Sequence, residues 1–134
     1  MLECKPRESS RRVLLVEDDP TLRKTFAMLL RTLGDTVTEA EGGRAGLRLL
    51  ADAPVDLVLT DLDMPDLSGW DVARESKALR PHVPVILLTG WGDQVGSGPE
   101  SGLPPSVDRV LCKPLNVRDL LGAIGELCPA DRSS

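Results

Sequence analysis

Four short stretches of this 134-residue chain carry side chains that could do chemistry together: Glu17-Asp18-Asp19, Asp61-Leu62-Asp63, Thr89 and Lys113-Pro114. Brought to one place they would supply three or more carboxylates, a hydroxyl and an ammonium. Clustered carboxylates repel one another, and a hard divalent cation relieves that repulsion. Mg²⁺ takes one or two carboxylates, a carbonyl and waters, which leaves room for a phosphoryl oxygen. A carboxylate at such a site can attack phosphorus. The cation and the Lys113 ammonium would offset the charge that develops in transfer, and Thr89 could donate a hydrogen bond to the transferred group. Each residue alone has a plainer reading. Asp19 before Pro20 reads as a helix N-cap followed by N1. A strand-end Asp also starts turns, and a lone Thr is more often structural. The case rests on the combination. Asp63 could offer its carboxylate or only its backbone carbonyl, and the residues do not decide between them.

These stretches come together only if the elements before them deliver them to one rim. Each follows an apolar run: Val13–Val16, Val55–Thr60, Val83–Leu88 and the weaker Val107–Cys112, with a further weak candidate at Asp35–Ala40. Continuous apolar runs of this length read as strands buried on both faces. Leu22, Phe26, Leu29, Leu30 and Leu33 share one face of a helix that Gly34 ends. Arg44–Ala51 reads as a second helix. Trp70, Val72, Ala73 and Leu79 predict a third that stops before Pro81. Val117, Leu120, Leu121, Ile124 and Leu127 predict the last, capped by Asn116 and ended at Cys128-Pro129. Between strands four and five, Gly90–Pro105 holds five Gly and three Pro. Gly costs about 1 kcal/mol and Pro about 3 kcal/mol in a helix interior, so a loop with at most one short turn is expected there. Alternating β and α units with buried strands imply a parallel sheet covered on both faces, with ligands at the carboxyl ends of the strands.

Composition removes several classes of function. The formal net charge of −5 argues against binding the phosphate backbone of nucleic acid. Phe26, Trp70 and Trp91 are the only aromatic residues, too few for a base-stacking platform. Cys4, Cys112 and Cys128 have no zinc-like spacing and His82 is alone. A reducing, cytoplasmic setting fits such cysteines. No apolar run is long enough for a membrane span.

At this point the residues resemble a family. VLLVEDDP (13–20), GDTVTEAEGGRAGL (34–47), DLVLTDLDMPDLSGWDV (56–72), VPVILLTG (83–90) and LCKPL (111–115) look like the receiver domains of bacterial response regulators. The ordered combination of D-x-x-M-P-x-x-x-G, a later Thr and a Lys-Pro is highly specific. The resemblance implies a doubly wound, flavodoxin-like five-stranded sheet in the order 2-1-3-4-5. Residues 1–12, polar and without periodicity, read as a flexible lead-in; a receiver domain is expected over 13–128 and a short tail over 129–134. By the same resemblance Asp61 is the phosphoacceptor. Glu17 and Asp18, with Asp61 and the backbone carbonyl of Asp63, hold Mg²⁺; Thr89 is the switch hydroxyl and Lys113 pairs with the phosphoryl group. The phosphodonor would be a phosphohistidine on a histidine kinase or a histidine phosphotransfer protein, with slow hydrolysis afterwards.

Two departures from the family pattern stand out. Val110 occupies the place, three before the lysine, where an aromatic switch residue is usual, and Gly90–Pro105 replaces the usual fourth helix. Trp91, just past Thr89, is expected to shield the phosphorylated Asp61 from water. The chain could be a single-domain regulator or the receiver of a hybrid sensor kinase; LTGWGD (88–93) and VLCKP (110–114) look more like the latter. Two other functions compete. One is a degenerate receiver that only binds partners. The other is a haloacid-dehalogenase-like phosphatase, whose D-x-D pair Asp61-Leu62-Asp63 resembles, although there the pair ends the first strand.

Overall fold

The computed structural model describes residues 11–89, 106–112 and 117–127. Over these residues the chain forms β1 (Arg12–Val16), α1 (Pro20–Thr32), β2 (Thr36–Ala40), α2 (Gly43–Asp52), β3 (Leu57–Asp61), α3 (Gly69–Leu79), β4 (Val85–Thr89), β5 (Arg109–Cys112) and α4 (Val117–Leu127). The five strands are parallel, in the order β2-β1-β3-β4-β5. This is the sheet that the sequence predicts. The segment Gly90–Pro105, the cap Asn116, Trp91 and Lys113 lie outside the described residues.

Strand alternation divides the core in two. Val13 and Leu15 of β1 face Phe26, Ala27 and Leu30 of α1 and Leu120, Ala123 and Ile124 of α4. Leu14 and Val16 face the other way, with Leu50 of α2 and Ala73 of α3. All five residues of β3, and all five of β4, are buried. That is why these strands read as unbroken apolar runs.

Local chemistry sets the element ends. The Asp19 carboxylate accepts from the N–H groups of Thr21 (2.9 Å) and Leu22 (3.3 Å), with Pro20 opening α1. At its other end Gly34 has φ +97°, and Gly34 and Asp35 donate their N–H groups to the carbonyls of Arg31 and Leu30. This is the left-handed glycine cap that satisfies the last carbonyls of a helix. Leu33 and Leu79, which the periodicity assigns to buried faces, are 40% and 45% exposed. Both sit at helix carboxyl ends, Leu33 as the cap of α1 and Leu79 as the last residue of α3. In α4 Leu121, assigned to the buried face by periodicity, is exposed, and Ala123 lies in the core.

β3, β4 and β5 begin two residues later than their apolar runs suggest, because polar side chains hold the approach. Asp56 accepts the backbone N–H of Arg12 (2.8 Å) and pairs with its guanidinium (3.0 Å). Asp108 accepts the N–H of Val85 and the Lys77 ammonium, both at 2.8 Å. At the start of β2, Asp35 is buried against Arg11, with Nε 2.9 Å from Oδ1. Arg11 and Arg12, the end of the stretch read as a lead-in, thus tie β1 to β2 and β3. Asp35, Asp56 and Asp108, at the amino-terminal edge of the sheet, each have a cationic partner.

Candidate functional site

The register aligns the carboxyl ends of the strands. Val16 pairs with Thr60, so Glu17 and Asp61 come next on adjacent central strands. Asp61 pairs with Leu88, and Thr89 follows; Thr89 in turn pairs with Cys112, the residue before Lys113. The chain crosses from one face of the sheet to the other between β1 and β3, which is where open α/β sheets bind ligands.

One carboxylate oxygen from each of Glu17, Asp18 and Asp61 lies within 4.8 Å of the others. Among the described residues this is the one such group of three. Glu17 and Asp61 are 1% and 5% exposed, Asp18 is half-buried, and Thr89 is buried. Oxygen donors suit a hard cation, and Mg²⁺ holds its ligands at about 2.0–2.1 Å, so trans oxygens stand about 4.1 Å apart. Three carboxylate oxygens this near one another are a donor set of the kind such an ion takes. Asp63 is exposed, and its carboxylate is not part of the group.

Backbone bonds fix the residues that carry these carboxylates. The Glu17 N–H donates to the Ala40 carbonyl (3.1 Å), and the Asp19 N–H donates to Glu17 Oε2 (3.2 Å). Arg23 Nη1, from the first turn of α1, donates to the Glu17 carbonyl (3.0 Å). After β3, the N–H of Leu62 donates to the Leu88 carbonyl (2.9 Å) and that of Gly69 to the Leu62 carbonyl (2.8 Å). The intervening loop is pinned by Asp66. Its carboxylate accepts from the N–H groups of Gly43 (3.0 Å), Arg44 (3.0 Å) and Leu67 (2.8 Å). The bond from Arg44 holds the Asp66 carboxyl below the usual range; burial opposes this, and the bonds from Gly43 and Leu67 add to it. The positive end of α2 favours the same ionised form.

The structure therefore brings together Glu17, Asp18 and Asp61 and sets Thr89 on the neighbouring strand end. Arg23, Asp66 and the close approach of Gly69 were not legible as site features. Arg23 had only its nearness to the acidic pair as a signal, and Asp66 only its place beside Met64-Pro65.

Comparison with known proteins agrees with this geometry. Residues 13–125 match the family model of the response regulator receiver domain. The chain belongs to the response regulator receiver family. It is 32% identical over 117 residues to the response regulator receiver protein CpdR of Brucella abortus, covering 87% of this chain and 96% of that protein. It is 37% identical over 112 residues to the sensory transduction protein RegX3 of Mycobacterium tuberculosis, covering 84% of this chain but 48% of RegX3. Among solved structures, the receiver domain of the sensor histidine kinase PA1611 of Pseudomonas aeruginosa has a magnesium ion coordinated in its active-site cleft. It matches with a TM-score of 0.76 and 28% identity, over 88% of this chain and 97% of that one. Receivers are phosphoacceptor switches of two-component signalling. The receiver family, with Asp61 ending the third strand rather than the first, leaves the phosphatase reading without support. No helix among the described residues is long and apolar enough to cross a membrane.

Proposed function

We propose that this receiver takes a phosphoryl group onto Asp61 from a phosphohistidine, in a Mg²⁺-dependent reaction, and changes conformation in response. The observation that carries the proposal is the grouping of Glu17, Asp18 and Asp61 at the carboxyl end of β1 and β3. Glu17, Asp18, Asp61 and the backbone carbonyl of Asp63 would hold the ion. When bound, Mg²⁺ neutralises the acidic site and the charge on the phosphoryl oxygens. An Asp61 carboxylate oxygen attacks phosphorus in line; the new O–P bond forms as the P–N bond to the imidazole breaks, and that nitrogen keeps the electron pair. Lys113 pairs with a phosphoryl oxygen. Thr89 donates its hydroxyl to another and draws the segment after β4 with it. Phosphorylation thereby favours one of two states through contacts made only in that state.

The donor is a histidine kinase or histidine phosphotransfer protein, met in the cytoplasm, with the receiver unit spanning 13–128. Trp91 slows hydrolysis by excluding water. The experiment is intact-protein mass after incubation with acetyl phosphate. One phosphoryl adduct that requires Mg²⁺ supports the reading. A folded protein that gains none, even from a phosphohistidine donor, would place the chain among degenerate receivers that act by binding alone.

A further inference from the structure

Glu17 follows the last residue of β1 and leads into a bend at Asp18, so the path of its backbone decides where its carboxylate and that of Asp18 point. Its N–H is taken by Ala40 of β2. β1 ends at Val16, so the Glu17 carbonyl lies just past the strand. That carbonyl accepts from Arg23 Nη1 at 3.0 Å. The Arg23 side chain is only 12% exposed, and its Nε lies 3.3 Å from Glu39 Oε1 on edge strand β2. Glu39 is in turn held by Arg31 Nη1 at 3.0 Å, and Arg31 Nη2 donates to the Val37 carbonyl at 2.8 Å. Burial pushes the Glu39 carboxyl up, but the hydrogen bond and charge of Arg31, the hydrogen bond of Arg23 and the charge of Lys24 outweigh it and hold it below the usual range. The chain of contacts runs from the edge of the sheet, through α1, to the acidic pair.

We infer that Arg23 is a positioning residue for the metal site: oriented by Glu39, it fixes the Glu17 carbonyl and with it the direction of the Glu17 and Asp18 carboxylates. The inference rests on the reading of Glu17, Asp18 and Asp61 as a Mg²⁺ site. A planar guanidinium suits this task, because it can donate to a carboxylate and a carbonyl at once from a rigid frame. Residues that hold metal ligands in place typically carry 10–100-fold of metal affinity.

The sign of the effect separates this role from the alternatives. Arg23 brings a positive charge near a cation site, so by electrostatics alone its removal would tighten Mg²⁺ binding. A positioning role demands the opposite. A merely structural role lowers stability and leaves the affinity alone.

The test is isothermal titration of Mg²⁺ into the wild-type protein, Arg23→Ala, Arg23→Lys, Glu39→Gln and the Arg23→Ala/Glu39→Gln pair, with thermal melting of each. The expected result is Mg²⁺ binding about tenfold weaker in Arg23→Ala. Arg23→Lys recovers part of it. Glu39→Gln weakens binding less, and the pair is no weaker than Arg23→Ala alone, because both act through one contact. Glu39→Gln alters a partly exposed edge position, so it carries the test if Arg23→Ala fails to fold. Unchanged or tighter binding in folded variants overturns the inference. A wild-type protein that binds no Mg²⁺ overturns the metal-site reading itself, a distinct outcome visible before any variant is compared.

Discussion

Gly69 packs directly against the carbonyl oxygen of Asp61. A Cβ built at Gly69 would collide with that oxygen and with Leu87 Cδ1, and would lie 2.8 Å from the Leu62 Cα. The glycine that closes D-x-x-M-P-x-x-x-G is therefore there for close approach. It lets α3 start against the strand end that carries Asp61. Gly69→Ala must push either the helix or the strand end. It is expected to cost about 1–3 kcal/mol of stability, as overpacking does. Because the strand end it presses on carries Asp61, the rate of adduct formation with acetyl phosphate should also fall. Denaturant melts and timed intact-mass spectra check the two effects separately.

Asp66 caps α2 from another loop. Asp66→Ala removes acceptors from two amides at the amino terminus of α2 and is expected to cost about 1 kcal/mol at neutral pH. The folded-state carboxyl titrates below its usual range. Its contribution is thus fully present above the unfolded value and is lost as pH falls through the folded one. The stability gap between wild type and Asp66→Ala should stay constant near neutrality and close in acid. Urea melts across that range measure it; a gap that widens on acidification would contradict the assignment.

Much of this was legible beforehand. Buried strands announce themselves as apolar runs, and Asp19-Pro20 and Gly34 mark the ends of α1. The acidic rim could be read because strand ends in a parallel sheet converge. The rest was hidden for a common physical reason. Arg23, Asp66 and Asp108 act on backbone groups of other elements, and such bonds leave no periodicity. The ion pairs Arg11–Asp35 and Arg12–Asp56 at the amino-terminal edge join ordinary surface residue types, so nothing in the sequence distinguishes them from solvated charges. Leu33 and Leu79 misled because helical periodicity does not record where a helix ends.

Ser76 faces the core of α3, and its Oγ is buried without a hydrogen-bond partner. A buried hydroxyl with no partner costs about 1–3 kcal/mol relative to water. Ser76→Ala removes that cost and leaves a gap of a single atom, so it is expected to be neutral or to stabilise by up to about 1 kcal/mol. Equilibrium unfolding checks it, and a clear loss of stability would show that the hydroxyl has a partner in solution.

Gly34 has open space where a Cβ would go, but its φ of +97° strains any other residue. Gly34→Ala should destabilise by about 1–2 kcal/mol through backbone strain alone. Adduct formation at Asp61 should be unaffected in the folded protein, since this cap stands at the opposite end of α1 from the acidic pair.

The central claim is that Asp61, among all the carboxylates of this chain, receives the phosphoryl group. The most direct measurement is to treat the protein with acetyl phosphate and Mg²⁺, reduce the acyl phosphate with borohydride, and sequence the peptides by mass spectrometry. The predicted result is homoserine at position 61 and nowhere else, absent without Mg²⁺ and absent from Asp61→Asn. Reduction at Asp18 or Asp63 instead, or an adduct that persists in Asp61→Asn, would contradict the assignment.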